Sequence, residues 1–215
     1  LATDIGGHLA TQVTLDLERA LDVRAEPVDL FVGEVADAGA RRILVVAHSM
    51  GANLTMESLR QMAIRGDRGA LDKVSGVILI SPDIDVDVFR AQAHAIGTLP
   101  QPFIIFGSDR DKILRLSARL TGQAERLGSL SDVTKVADLK VTFLDVGEFS
   151  SGAGHFTVGD SPALILLMDR IGEIEGAFER DRISRVGLLS GVVLTVQNAT
   201  QIVLSPVAGV ANELS

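Results

Sequence analysis

Four short apolar runs punctuate the chain: Ile43 to Ala47, Val77 to Ile80, Phe103 to Phe106 and Val141 to Val146. Each is continuous rather than alternating, the pattern of strands covered on both faces of a parallel sheet. Helical spacing fills the gaps. Met56, Leu59, Met62 and Ala63 share a stretch with Glu57, Gln61 and Arg65, and Gly66 is a fitting stop. Val86 to Ile96 reads as a second helix, and Ile113 to Leu120 as a third, with Ile113, Leu116 and Leu120 apolar. Ser161-Pro162 opens a fourth through Leu164, Leu167, Met168 and Ile171, since Ser caps well and Pro suits the first turn. Strand and helix alternate, so the expected class is α/β, a mostly parallel sheet flanked by helices.

The two ends read differently. Thr14 to Val23 is expected to be helical, as is a segment from Pro27 through Leu30, Phe31 and Val35 to Gly39. From Val186 to Asn212 there is no charge, but Gln197, Asn198, Thr200, Gln201 and Pro206 interrupt the apolar residues. A spanning helix needs about 20 predominantly apolar residues. The expectation is a helix laid on the body or on a partner. The organisation is thus a helical N-terminal segment (1–40), an α/β core (41–180) and a helical tail (181–215), uncharged from Val186 to Asn212. Ser129 to Asp132 is the expected long loop.

Composition narrows the function. Of 215 residues 47% are apolar, enough for a large core, and the net charge is −8. That balance argues against nucleic acid, which is bound by clustered Lys and Arg. A membrane-surface helix would also want basic residues. There is no Cys, hence no thiolate nucleophile or Cys-based metal site, and four scattered His make a catalytic zinc improbable. No cofactor is expected. No targeting signal opens the chain, and Leu1 is not an initiator Met, so cytoplasmic and exported locations both stay open.

The chemistry gathers around Ala47-His48-Ser49-Met50-Gly51. A serine between a buried strand and a helix, with small residues two before and two after, has the layout of a nucleophile elbow. The tight turn lifts the Ser49 hydroxyl clear of the sheet and turns the Met50 N–H toward a developing oxyanion. The plainer alternative is that Ser49 merely caps the helix.

A serine needs a base, and the base needs an orienting acid. In parallel sheets such partners arrive at the carboxyl ends of strands. Asp111, where the loop after Phe106 turns into a helix, is the first candidate acid, with Asp109 in reserve; either could instead cap that helix or pair with Arg110, Lys112 or Arg115. His155 lies in a glycine-rich loop beyond the fourth run and is the candidate base, against the reading of a surface histidine. The order Ser49, Asp111, His155 is that of this architecture. His48 is expected to pack behind the elbow; His94 and His8 follow no strand. Asp83, Asp85 and Asp87 stand just after the second run. Capping a helix, a substitute acid at Asp83, or a cation site are the three readings, although a calcium loop would want a Gly turn and a bidentate Glu.

These stretches resemble the α/β-hydrolase superfamily, and more narrowly an uncharacterised bacterial esterase/lipase-like branch, a family of unknown function. The resemblance covers roughly residues 40 to 175, and Ser81-Pro82-Asp83-Ile84-Asp85 is its more discriminating piece. It implies Ser49 as nucleophile, His155 as base, Asp111 as acid, and a carboxylic ester as the small-molecule substrate. A non-catalytic partner-binding domain and an acyltransferase with the same triad are the alternatives. The front departs from the pattern. An earlier strand with a His-Gly loop should supply a second oxyanion N–H, and Gly6-Gly7-His8 follows no recognisable strand. The chain is read as the back part of a longer protein or as a shortened relative. Ile43 to Ala47 would then be an exposed sheet edge, and this edge or the tail could join two copies.

Overall fold

The computed structural model describes residues 2–5, 8–15, 42–122, 125–147, 186–189, 192–196 and 201–206. Among them nine strands form one sheet, in the order β1-β2-β3-β4-β5-β6-β9-β8-β7. The centre is built from β3 (Arg42–His48), β4 (Val74–Ile80), β5 (Phe103–Gly107) and β6 (Thr142–Asp145), the four runs legible in the sequence. All four are mutually parallel. Every residue of β5 is buried, because helices or loops cover both faces and no position can be given to polar side chains.

Three helices follow three of these strands. Helix α1 (Met50–Arg65) buries Ala52, Thr55, Met56, Ser58, Leu59 and Met62 and ends at Gly66, whose φ of 72° an L-residue rarely adopts. A single turn, α2 (Arg68–Leu71), leads into β4. Helix α3 (Val86–Ile96) begins at Asp85, whose carboxylate accepts the N–H groups of Asp87 and Val88. It buries Phe89, Ala93 and Ile96, with the Phe89 ring 6.0 Å from that of Phe103. Burying one such large apolar side chain contributes about 1.5–3 kcal/mol. Helix α4 (Lys112–Thr121) turns Leu114 and Ala118 inward. Its Ile113, Leu116 and Leu120, apolar in the sequence pattern, are exposed. Of the expected loop at Ser129 to Asp132, Ser129 closes a short 3-10 turn, Leu127–Ser129, and Leu130 to Asp132 lead into a second, Val133–Val136. No described helix is long and apolar enough to cross a membrane.

Both ends correct the sequence reading. Strand β2 (His8–Leu15) pairs parallel with β3, and β1 (Ala2–Ile5) pairs antiparallel with β2. The first 40 residues are therefore not wholly helical: Thr14 and Leu15, expected to begin a helix, close β2. The signal was present as alternation, Leu9, Thr11, Val13 and Leu15 against Ala10, Gln12 and Thr14. Ile43 to Ala47 is not a sheet edge, since Thr11 to Leu15 lies in register beside it. The expected helices over 16–23 and 27–39 and the one opened by Ser161-Pro162 fall outside the described residues.

The uncharged tail is strand, not helix, over β7 (Val186–Leu189), β8 (Val192–Val196) and β9 (Gln201–Pro206). Val and Leu dominate these segments, and the β-branched Val, with Thr195 and Ile202, favours a pleated surface. In the sequence, Ser190-Gly191 and Gln197-Asn198 have the composition of turn signals. β9 pairs parallel with β6 and antiparallel with β8, so the tail extends the core sheet.

Glu57 ties α1 to α3. Its carboxylate accepts from Arg60 at 2.8 and 2.6 Å, from Gln61 at 2.8 Å and from Gln92 of α3 at 3.3 Å. The Arg60 hydrogen bonds hold its pKa down, from 4.5 to about 2, against the opposing effect of burial. A carboxyl lowered on folding stabilises the fold above its unfolded pKa, and that contribution is lost as pH falls through the folded value. With 41% of the side chain exposed, solvent screening limits it to about 1 kcal/mol or less. Glu57→Gln should lower stability at pH 7 by up to about that amount. Urea midpoints of the two proteins should converge as pH falls from 4.5 to about 2; a constant gap across that window would remove Glu57 from the acid response.

Candidate functional site

The junction of β3 and α1 carries an unusual residue. Ser49 has φ 51° and ψ −122°, a backbone state that L-residues avoid. Holding it costs of order 1–3 kcal/mol. Three hydrogen bonds hold it in place. The Ser49 N–H donates to Ile80 O at 2.9 Å, and its carbonyl accepts from the N–H groups of Ala52 and Asp83, each at 3.1 Å. The side chain does not cap α1. The capping alternative therefore fails at the one position where the sequence could not separate it from an elbow. Met50 opens the helix, so its N–H has no intrahelical acceptor. A donor left over at a helix start favours a nearby negative charge.

Ser49 sits at the carboxyl end of β3. The loops carrying Asp83, Asp109 and Asp111 leave the same rim, because β4 and β5 run parallel to β3. Asp111 is completely buried, and its Oδ1 accepts the Leu114 N–H at 3.0 Å as the cap of α4. Asp109 is exposed. Two strand spacings separate the ends of β3 and β5, roughly 10 Å. His155 lies outside the described residues. The chain leading to it leaves the same rim: β6 ends at Asp145, whose carboxylate accepts the Gly147 N–H at 2.9 Å.

The aspartates after β4 divide by role. Asp85 is the cap of α3, and Asp87 lies in its first turn. Asp83 does neither: its carboxylate accepts the Ser117 hydroxyl at 3.1 and 3.0 Å, and Arg126 Nε stands 2.9 Å from it. Among the described residues no cluster of three or more His, Asp or Glu is placed to hold a metal ion. His48 ends β3, half-buried, and the exposed His94 lies 3.8 Å from Asp138. His8 begins β2. Contrary to the sequence reading, Gly6-Gly7-His8 does follow a strand, β1. Register puts His8 at the wrong end of the sheet: Ala10 pairs with Arg42 at the start of β3, far from Ser49. The sequence reading missed Arg126 and Ser117, which lie far along the chain from Asp83 and in no recognisable spacing with it. A cleft of about 360 Å³ beside Asp109, lined by Arg115, Arg119, Glu125 and Ser131 among others, does not include Ser49.

Residues 16–170 match the family described as "Alpha/beta hydrolase of unknown function (DUF900)". The chain belongs to this family. The match spans Ser49, Asp83, Asp85, Asp87, Asp109, Asp111 and His155 together. Two solved structures of inhibited esterase B from Lactobacillus rhamnosis are similar to this α/β hydrolase at 13% and 14% identity, with TM-scores of 0.38 and 0.39. Each comparison covers 72% of this chain and 63% or 62% of the esterase chain, so this chain spans less than two thirds of their length. No curated protein matches.

The strained turn can be read in stability. Ser49→Gly relieves the backbone at positive φ, whereas Ser49→Ala keeps the strain. Urea denaturation should find the glycine variant more stable than the alanine variant by about 1 kcal/mol, even though glycine normally weakens folding through the unfolded chain. A glycine variant less stable than the alanine one would show that the turn is unstrained.

Proposed function

We propose that this α/β hydrolase cleaves carboxylic esters with Ser49 as nucleophile. The observation that carries the reading is the Ser49 backbone at φ 51° with its hydroxyl left out of the helix cap. Strain at a position where an unstrained serine would cap equally well points to a role for the hydroxyl. In the proposed reaction Ser49 Oγ bonds to the acyl carbon while His155 takes its proton. The oxyanion is met by the Met50 N–H. The intermediate collapses, the C–O bond to the alcohol breaks, and His155 returns the proton to the leaving oxygen. Water then repeats the sequence on the acyl-enzyme and releases the acid.

Asp111 is the proposed orienting acid. It is buried, it lies two strands from Ser49 on the same rim, and the alternatives are less well placed: Asp83 is engaged by Arg126 and Ser117, and Asp109 is exposed. A second oxyanion N–H would come from the chain leaving β2, because Leu15 pairs with Ala47 and so ends beside the elbow. The partner-binding alternative drew on an unpaired β3, and β2 removes that argument.

Ser49→Ala should lower turnover of a short-chain nitrophenyl ester roughly 10⁴-fold or more. Asp111→Asn keeps a good cap for α4, and should lower turnover by roughly 10⁴-fold while the thermal midpoint holds. Undiminished turnover in the purified Ser49 variant would remove it from the mechanism; undiminished turnover in Asp111→Asn would reassign the acid alone.

A further inference from the structure

Residues 126–128 cross the active rim as a strap stitched to both neighbouring strand ends. The Leu127 N–H donates to Ile84 O at 2.8 Å and the Gly128 N–H to Pro82 O at 2.9 Å, while Gly128 O accepts from the Ser108 N–H at 2.8 Å. The approach is so close that a Cβ on Gly128 would stand 2.6 Å from Pro82 N and from Ser81 C. Only glycine fits without moving backbone. The strap carries Arg126 into the rim, where it is 7% exposed. Its Nε is 2.9 Å from Asp83 Oδ1, an ion pair whose N–H is not aimed for a hydrogen bond. Its Nη2 donates to Thr121 at 2.8 Å and to Ser117 at 3.3 Å, both on α4.

Each contact of Arg126 leads to a different part of the site. Asp83 is the residue whose N–H holds the Ser49 carbonyl. Ser117 and Thr121 belong to the helix that Asp111 caps. We propose that Arg126 is a positioning residue, which sets the serine elbow against the acid-bearing helix by pairing with Asp83 on one side and bonding α4 on the other. A charge buried to this degree is costly to hold unless it is paired. An Arg that pairs with a carboxylate on one side and donates from its planar fork to a helix on the other couples the two, because separating them leaves its buried charge unpaired. The serine elbow and the acid would then move together or not at all. The functional half of this inference rests on Ser49 acting as nucleophile; the clamp itself does not.

The test compares wild-type protein with Arg126→Met and Arg126→Lys. Amide exchange by NMR reads the clamp: the Asp83 N–H should exchange roughly tenfold faster in Arg126→Met relative to amides of β5, a local opening rather than a global one. Fluorophosphonate labelling and ester turnover read the function. Arg126→Met should lower the labelling rate and kcat roughly 10–100-fold per folded molecule, with KM little changed, and Arg126→Lys should recover part of both. Unchanged relative exchange at Asp83 would overturn the clamp, whether or not the protein turns over ester. Faster exchange with wild-type labelling and kcat would overturn the positioning role. Activity that survives Ser49→Ala would count against the nucleophile instead, and would leave the exchange result standing as evidence on the clamp.

Discussion

The site depends on a backbone, not on a side chain. Ser49 is held in a conformation it would not choose, by Ile80 O on its N–H and by Asp83 N–H on its carbonyl. Both partners belong to β4 and the loop that leaves it, so the turn is stable only because β3 and β4 are in register up to His48 and Ile80. Beyond the irregularity at Ile43 and Leu44, the buried apolar pairs Val45 to Ala47 with Val77 to Leu79 supply that register. The continuous apolar runs are thus the first cause of the strained serine.

Parallel pairing also explains why residues far apart in the chain face one region. β3, β4, β5 and β6 present their carboxyl ends on one side, and the loops after them carry Ser49, Asp83, Asp111 and Gly147. β2 adds the exit at Leu15 to the same rim, while the antiparallel pairing of Ile5 with His8 lies at the opposite one. Direction, more than distance along the chain, sorts the groups that can cooperate from those that cannot. The strap at 126–128 then binds the β4 and β5 ends to each other.

How much of this was legible depended on how local the cause was. Helix α3 was readable because the Asp85 cap and the apolar spacing act within a few residues. The central strands were readable because a short unbroken run of Val, Ile and Phe between turn residues suits a strand covered on both faces. Strand β2 was lost because a short alternating segment is marked by Thr and Gln as much as by apolar residues. The uncharged tail was misread because absence of charge says only that a segment is covered; its Val and Ile content was the better guide. The serine turn was legible as a motif, but its freedom from capping was not, since that lies in one torsion and one missing bond. Arg126 was invisible: nothing in its neighbourhood shows that its counter-charge is Asp83.

Under the proposed function, strain at one residue holds a reactive hydroxyl in place. The most direct measurement of that idea is mass-spectrometric peptide mapping of the protein after reaction with a fluorophosphonate ester. A single phosphonyl adduct on Ser49, absent from protein denatured before exposure, is the predicted result. Stoichiometric modification at another serine, or labelling that persists in denatured protein, would contradict it.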